Sequence, residues 1–288
     1  MRREGLPRAL YRLHTRRLAS LVTGGKSVAS VEEAVRDIPS GAKLLVGGFG
    51  LTGVPENLLR AINASSVTGL TVVSSNVGTA EHGLGPLFVS QKIAKVIGSY
   101  VGENEVFEKQ FLDGKIEVEL VPMGTLAERM RAAGAGIPAF YTATGAGTLV
   151  ERGGMPQRYA SDGSRKVEVE SVPREARTFN GRRYILEEAI FGDFALVKAW
   201  KGDTEGNLVY RMTSRNHNPA IATAGKITIA EVEELVPAGS IDPNDVHTPG
   251  IYVDRIVQGT RYDRIIERLT IAGETSKGSG LNEACDAF

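Results

Sequence analysis

Residues 47–55 read Gly-Gly-Phe-Gly-Leu-Thr-Gly-Val-Pro, so Gly47, Gly48, Gly50 and Gly53 leave four of seven positions in the bend without a side chain. Glycine takes positive φ at little cost and leaves the peptide N–H uncovered. A bend of this kind lets another molecule approach the backbone and rest negative charge against it, with Phe49, Leu51 and Thr52 completing the turn. Pro55, at the entry to the next helical stretch, fixes the direction of that helix. The same residues serve equally well as a tight connection with close strand–helix packing, and spacing alone does not separate the two.

Other chemistry-bearing residues are scattered. His14, His82, His217 and His247 share no metal-ligand spacing, and no metal ion is expected. The chain has no G-x-S-x-G elbow for a serine nucleophile. Gly145-Ala146-Gly147 lacks the third glycine of a dinucleotide fingerprint and follows no early strand. The single cysteine, Cys285, excludes an internal disulfide framework and cysteine-based metal sites. Among carboxylates, Glu103 and Glu105 suit a helix start, and Glu128 with Arg131 or Arg129 suits surface pairing. Glu187 and Glu188, an acidic pair ahead of a strand, stay open between burial with a partner and exposure.

The elements that must hold the bend alternate. Apolar runs at residues 43–46, 70–74, 93–99 and 116–121 predict buried strands, separated by helical stretches at 56–64, 86–90, 104–112 and 125–133. Ser30 with Glu33 forms a capping box for a short helix over 31–35, closed by Pro39 and Gly41. This order predicts an α/β fold, an open and mostly parallel sheet with helices on both faces. Ligands of such sheets bind outside the carboxyl ends of the strands, where the bend lies. Residues 153–183, rich in glycine, proline and charge, predict a short antiparallel excursion. Further strands are predicted over 194–201, 208–211, 226–236 and 251–257.

With 34 basic against 34 acidic residues and 42% hydrophobic content, the chain has an ordinary globular composition that suggests neither a nucleic-acid nor a membrane-surface partner. No apolar run approaches the length that spans a bilayer. Arg2, Arg3, Arg8, Arg12, Arg16 and Arg17 face one acid, Glu4, while Leu6, Leu10 and Leu13 recur at helical spacing. That pattern predicts a mitochondrial transit peptide over 1–22, with a basic bacterial leader as the alternative. A folded unit is expected over 27–272 and a disordered tail over 273–288.

The bend resembles the first signature of the class I coenzyme A transferases, G-G-F-x-x-x-G-x-P, at every fixed position. Ser99-Tyr100-Val101-Gly102-Glu103-Asn104, Gly134-Ala135-Gly136-Ile137-Pro138 and Gly192-Asp193-Phe194-Ala195-Leu196 are similar to further motifs of that family. The likeness is to the amino-terminal half, the A half, of its succinyl-CoA:3-oxoacid members. It implies a domain that pairs with a homologous B half, an active site between the two, oligomeric assembly, and ketone-body breakdown in the mitochondrial matrix or a related role in a bacterial cytoplasm.

In the family a glutamate within an S-E-N-G segment of the B half attacks the acyl-CoA thioester and then carries CoA as a glutamyl thioester. No such segment exists here, so no catalytic residue is expected in this chain. No cofactor is implied beyond the coenzyme A thioester and carboxylic acid that are the substrates. Related enzymes place amides near the site through V-S-N-N and P-Q-G-T-L-A-E-R segments, which correspond to Val73-Ser74-Ser75-Asn76 and Pro122-Met123-Gly124-Thr125-Leu126-Ala127-Glu128-Arg129. The ligand contacts implied are Gly47, Gly48, Phe49, Gly50, Leu51, Thr52, Gly53, Ser75, Asn76, Met123, Gly124 and Thr125. Ser75 and Met123 depart from the pattern, and methionine has no donor. Losing one oxyanion donor typically costs on the order of 10² to 10³ in turnover. A weakened paralogue or a non-catalytic scaffolding protein is therefore the alternative.

Overall fold

The computed structural model describes residues 25–102 and 104–262; the expected leader over 1–22 and tail over 273–288 lie outside the described residues. The chain opens with α1, Val31–Val35, where Ser30 Oγ accepts from Glu33 N–H at 3.2 Å and the Glu33 carboxylate reaches back to Ala29 N–H at 3.1 Å. Next come β1 (Lys43–Val46), α2 (Glu56–Ala64), β2 (Leu70–Asn76), α3 (Gly85–Val89), β3 (Ile93–Tyr100), α4 (Glu105–Leu112), β4 (Glu117–Leu120) and α5 (Met123–Gly134). The helix α5 begins two residues before its expected start because Pro122, with no N–H to satisfy, stands at its N-cap.

The irregular region is wider than the composition of 153–183 suggests. It runs through β5 (Ala139–Thr142), α6 (Leu149–Arg152), β6 (Pro156–Tyr159), β7 (Val167–Glu170), β8 (Ala176–Phe179) and β9 (Arg182–Glu188). These strands form two small antiparallel sheets, β5-β9-β8 and β6-β7. The chain then returns through β10 (Gly192–Asp203), β11 (Leu208–Val209), α7 (Asn218–Ala224), β12 (Gly225–Val236) and β13 (Arg255–Gln258). The strand expected over 251–257 starts late, since Gly250–Tyr252 form a 3-10 turn after Pro249.

The main sheet has the order β13-β12-β10-β1-β2-β3-β4, with β11 folded back antiparallel on β10. All pairs along the path are parallel. Its strands alternate between two apolar layers, as a parallel sheet covered on both faces requires. Leu44, Val46 and Val72 point into the layer made with α1 to α4, through Leu58, Ile62, Phe88 and Phe107. Leu45 and Val73 point into the opposite layer with Leu126 and Met130 of α5 and Ile221 of α7. Each of these fully buried side chains contributes about 1.5–3 kcal/mol of apolar transfer.

From β1 the chain steps outward through β2, β3 and β4, then crosses to the other side and continues through β10, β12 and β13. The order therefore reverses between β1 and β10, and the crevice at such a reversal is where open α/β sheets bind ligands. The bend 47–53 leaves β1 at that crevice, with Gly47 N–H donating to Leu196 O of β10 at 2.9 Å.

Candidate functional site

The bend has a buried base and an exposed tip. Gly47, Gly48 and Gly53 are buried, whereas Phe49 and Gly50 are exposed and Leu51 and Thr52 are half-buried. Phe49 and Thr52 exchange both backbone hydrogen bonds, each at 3.0 Å, which closes the tip into a tight turn. Gly50, at φ 58°, needs no side chain removed for space, since nothing lies within 4 Å of where a Cβ would stand. Among the described residues none accepts a hydrogen bond from the N–H of Gly50 or Leu51.

The base is knitted from behind. A Cβ at Gly47 would stand 1.9 Å from Asn218 Oδ1, and one at Gly53 2.5 Å from Ser214 O. Asn218, at the start of α7, is fully buried and saturated. Its Oδ1 accepts from Lys198 N–H at 3.0 Å, and its Nδ2 donates to Gly53 O and Ser214 O, each at 3.0 Å. Asn216 Nδ2 donates to Thr52 O at 3.0 Å. Ser75 Oγ donates to Gly48 O at 2.9 Å. At Gly47 and Gly53 the absent side chain thus makes room for neighbouring protein atoms.

In front of the tip lies an open cleft of about 540 Å³ at the carboxyl ends of β1, β2 and β3. Phe49, Gly50 and Leu51 form one wall. Asn76, Gly78 and Thr79 form the floor beyond β2, and Ser99, Tyr100, Gly102 and Met123 complete it. Asn76 is braced, its Nδ2 donating to Ser75 Oγ at 3.2 Å and its Oδ1 accepting from Gly78 N–H at 3.0 Å. A second, much smaller void of about 10 Å³ lies under the bend between Gly47, Gly48, Ser74 and Asn76. That is about the space of one water molecule.

The structure thus brings Phe49, Gly50, Leu51, Asn76 and Met123 to one cleft. The other expected contacts differ. Gly47, Gly48, Gly53 and Ser75 support the bend from behind because their neighbours are packed protein, and Thr52 is turned inward by its bonds to Phe49. Gly124 is exposed at the start of α5 outside the cleft lining. Thr125 is 3% exposed, and its hydroxyl has no hydrogen-bond partner.

Sequence reasoning did not assign Asn216, Asn218, Thr79, Ser99 or Tyr100 to the site. Ser99 and Tyr100 sit in a quoted motif, and the polar run Asn216-His217-Asn218 before Pro219 was the available signal for the brace. His217 rests against Phe49 with ring centroids 6.1 Å apart, and burial lowers its pKa, which favours the neutral imidazole. The cleft-lining residues carry no charge. What this surface offers a ligand is backbone donors, amide and hydroxyl groups, and apolar contact from Phe49, Leu51, Tyr100 and Met123.

The carboxylates that stayed open resolve elsewhere. Glu187 is 1% exposed, 3.6 Å from Arg174 and 3.7 Å from Arg129, and burial pushes its pKa up against the pull of both cations. Glu188 is exposed. Arg129 corrects the expectation of a surface pair, because it is buried and donates to Glu119 at 2.8 Å and to Glu188 O at 2.6 Å. Glu128 does pair on the surface, with Arg131. This network ties α5 to β9 and has no member in the cleft lining.

Residues 28–259 match the family model described as Coenzyme A transferase. The human protein named succinyl-CoA:3-ketoacid coenzyme A transferase 2, mitochondrial, is 51% identical over 258 residues, which are 90% of this chain and 50% of that protein. A Bacillus subtilis (strain 168) protein, named as the probable first of the lettered subunits of a succinyl-CoA:3-ketoacid coenzyme A transferase, is 52% identical over 254 residues, 88% of this chain and 98% of that protein. The chain thus spans about half the length of the mitochondrial relative and nearly all of the bacterial one. Among solved structures, an acyl-CoA transferase apoenzyme of Escherichia coli O157:H7 shares the fold, with a TM-score of 0.67 at 24% identity over 83% of this chain and 48% of that one.

Proposed function

This chain belongs to the coenzyme A transferase family, and from that premise we propose that it is the A half of a transferase moving coenzyme A between succinyl-CoA and a 3-oxoacid such as acetoacetate. The nucleophile is a glutamate of a B half. Its carboxylate adds to the thioester carbonyl, and collapse releases CoA thiolate and leaves an acyl-glutamyl anhydride. The thiolate then attacks the glutamyl carbonyl, expelling the first acid and leaving the glutamyl-CoA thioester. The acceptor acid reverses these steps and departs as its CoA ester. Each addition gathers charge on an acyl oxygen, and preorganised donors in a dry cleft are the efficient way to hold it. The open N–H groups of Gly50 and Leu51, with the amide of Asn76, are assigned that role.

The observation that carries this reading is the cleft itself. It gathers the bend tip, Asn76 and Met123 at the switch point of the sheet, and its lining contains no carboxylate. The bacterial relative, named as one of several subunits, and the double-length mitochondrial relative support a B half supplied either as a separate polypeptide or by fusion. The cationic residues 1–22 favour the mitochondrial matrix over a bacterial cytoplasm as the setting. The chemistry uses coenzyme A only as substrate and needs no metal or redox group.

A second reading has one specific observation in its favour: Met123 puts a thioether where a side-chain donor would help hold an oxyanion. On that reading the chain is a weakened or scaffolding paralogue. The test is the rate of acetoacetyl-CoA formation from succinyl-CoA by the chain alone, by the chain with a B half, and by its Met123→Gln variant with the same B half. The proposed function expects no transfer alone, transfer when combined, and less than a tenfold gain from the substitution. A gain of tenfold or more favours the weakened paralogue, and full activity of the chain alone overturns the division of labour.

A further inference from the structure

Pro55 stands at the N-cap of α2 and offers no side-chain acceptor to the first turn of the helix that the bend feeds. A helix start leaves N–H groups unpaired and needs acceptors. Here the acceptor comes from the far half of the sheet. Glu231 on β12 has no exposed surface, and its two oxygens are divided between neighbouring residues of that turn. Oε1 accepts from Asn57 Nδ2 at 2.5 Å and Oε2 from Leu58 N–H at 3.0 Å.

Residues 259–262 close over the contact. Asn57 Nδ2 also donates to Arg261 O at 3.1 Å, and its Oδ1 accepts from Arg60 Nη2 at 2.6 Å and Arg261 N–H at 3.3 Å. Tyr262 Oη donates to Val232 O at 2.6 Å and accepts from Gly259 N–H at 3.1 Å, while Lys198 Nζ sits 4.9 Å from its ring centroid. A Cβ at Gly259 would fall 2.1 Å from Tyr262 Oη and 2.5 Å from Asn57 Nδ2, so the cover fits only without one.

Burying a carboxyl group is costly unless its oxygens are satisfied, and a simple N-cap serine would satisfy the helix more cheaply. An acid at a helix N-terminus also occupies the positive end of the helix dipole. We infer that Glu231 is a positioning residue for the glycine bend: it fills the N-terminus of α2, fixes the helix that anchors the bend, and leaves the tip N–H groups as the donors open to substrate charge. This rests on the proposed function for its catalytic consequence, but not for its structural one.

Hydrogen–deuterium exchange on the full chain, with no partner present, tests the structural part. Glu231→Gln keeps shape and one acceptor, but turns its amide N–H₂ toward Asn57 Nδ2, donor against donor. Exchange in peptides covering 47–58 should rise about tenfold, as expected for one buried unsatisfied pair, while β3 and α4 stay within twofold. The double variant Asn57→Asp/Glu231→Gln restores a donor–acceptor pair and should return exchange to within about threefold of the native rate. Unchanged exchange at 47–58, or an equal rise across the sheet, overturns the inference. Should Glu231→Gln not fold, Tyr262→Phe supplies the same readout with a rise of about two- to threefold at the same peptides, and no local rise contradicts the inference.

The catalytic part is read in the combined two-half enzyme. There Glu231→Gln should lower kcat about tenfold with KM for the acyl-CoA within twofold, and the double variant should recover most of kcat. Loss confined to KM overturns the positioning role. Absence of transfer by the native pair would instead count against the proposed function and leave the exchange result standing.

Discussion

The base and the tip of the glycine bend are made of the same residue type for opposite reasons. At the base, Gly47 and Gly53 are glycine because Asn218 and Ser214 occupy the space a side chain would take. At the tip, Gly50 has open space around it and is glycine because of its backbone, at φ 58°. The two readings left open by the spacing, close packing and access for a ligand, both hold, at different positions a few residues apart. A glycine-rich segment is therefore informative about binding only where its N–H groups have no internal acceptor, which here means Gly50 and Leu51.

The sharpest break of this contrast is Gly47→Ala. The added methyl meets Asn218 Oδ1 at 1.9 Å and forces the brace apart, so a loss of about 3 kcal/mol is expected in chemical denaturation. A loss below about 1 kcal/mol would mean the base is not tightly packed. Asn218→Ala approaches the same point from the other side. It leaves Lys198 N–H and Gly53 O without their partner and should cost about 2 kcal/mol, with faster exchange in the bend. Gly50→Ala strains a left-handed backbone position but touches nothing, so about 1 kcal/mol is expected, with intact packing by near-ultraviolet circular dichroism. A larger stability cost at Gly50 than at Gly47 would reverse the assignment of base and tip.

The weakest expected effect lies far from the bend and serves as its control. Asp37 forms a two-pronged pair with Arg255, each contact at 2.6 Å, and that guanidinium holds its carboxyl below the ordinary value of 3.8. A carboxyl depressed on folding adds stability above its unfolded pKa and loses it as the pH falls through the folded one. Asp37→Asn should therefore cost less than about 1 kcal/mol near pH 7, because the pair is partly exposed to solvent. The difference from the native chain should vanish as the pH is taken well below 3.8, in a series of urea titrations. A penalty that persists at low pH would assign the loss to packing.

The parallel sheet was legible because its strands are short apolar runs buried on both faces, and 43–46 and 56–64 were placed to the residue. The bend's position at the carboxyl end of β1 followed from that alternation. Strand order was not legible, since β10 beside β1 joins residues 150 positions apart with no local signature. For the same reason the brace was invisible: Asn218 and Glu231 act on residues 165 and 173 positions away, and each looks locally like an ordinary polar residue. The motifs identified the cleft's tip, Asn76 and Met123, but a motif does not say which way a side chain turns. Ser75, next to Asn76, donates backward to Gly48 O because side chains alternate along a strand.

The central claim is a division of labour in which this chain holds charge with backbone donors and a B half carries the covalent bond. Its most direct test is borohydride reduction of the combined enzyme after incubation with succinyl-CoA, followed by peptide mass spectrometry of both polypeptides. Reduction of a glutamyl thioester converts that side chain to the corresponding alcohol, and the account predicts the mass change on a single glutamate of the B half and none on this chain. A reduced glutamate on this chain, in proportion to turnover, would contradict it.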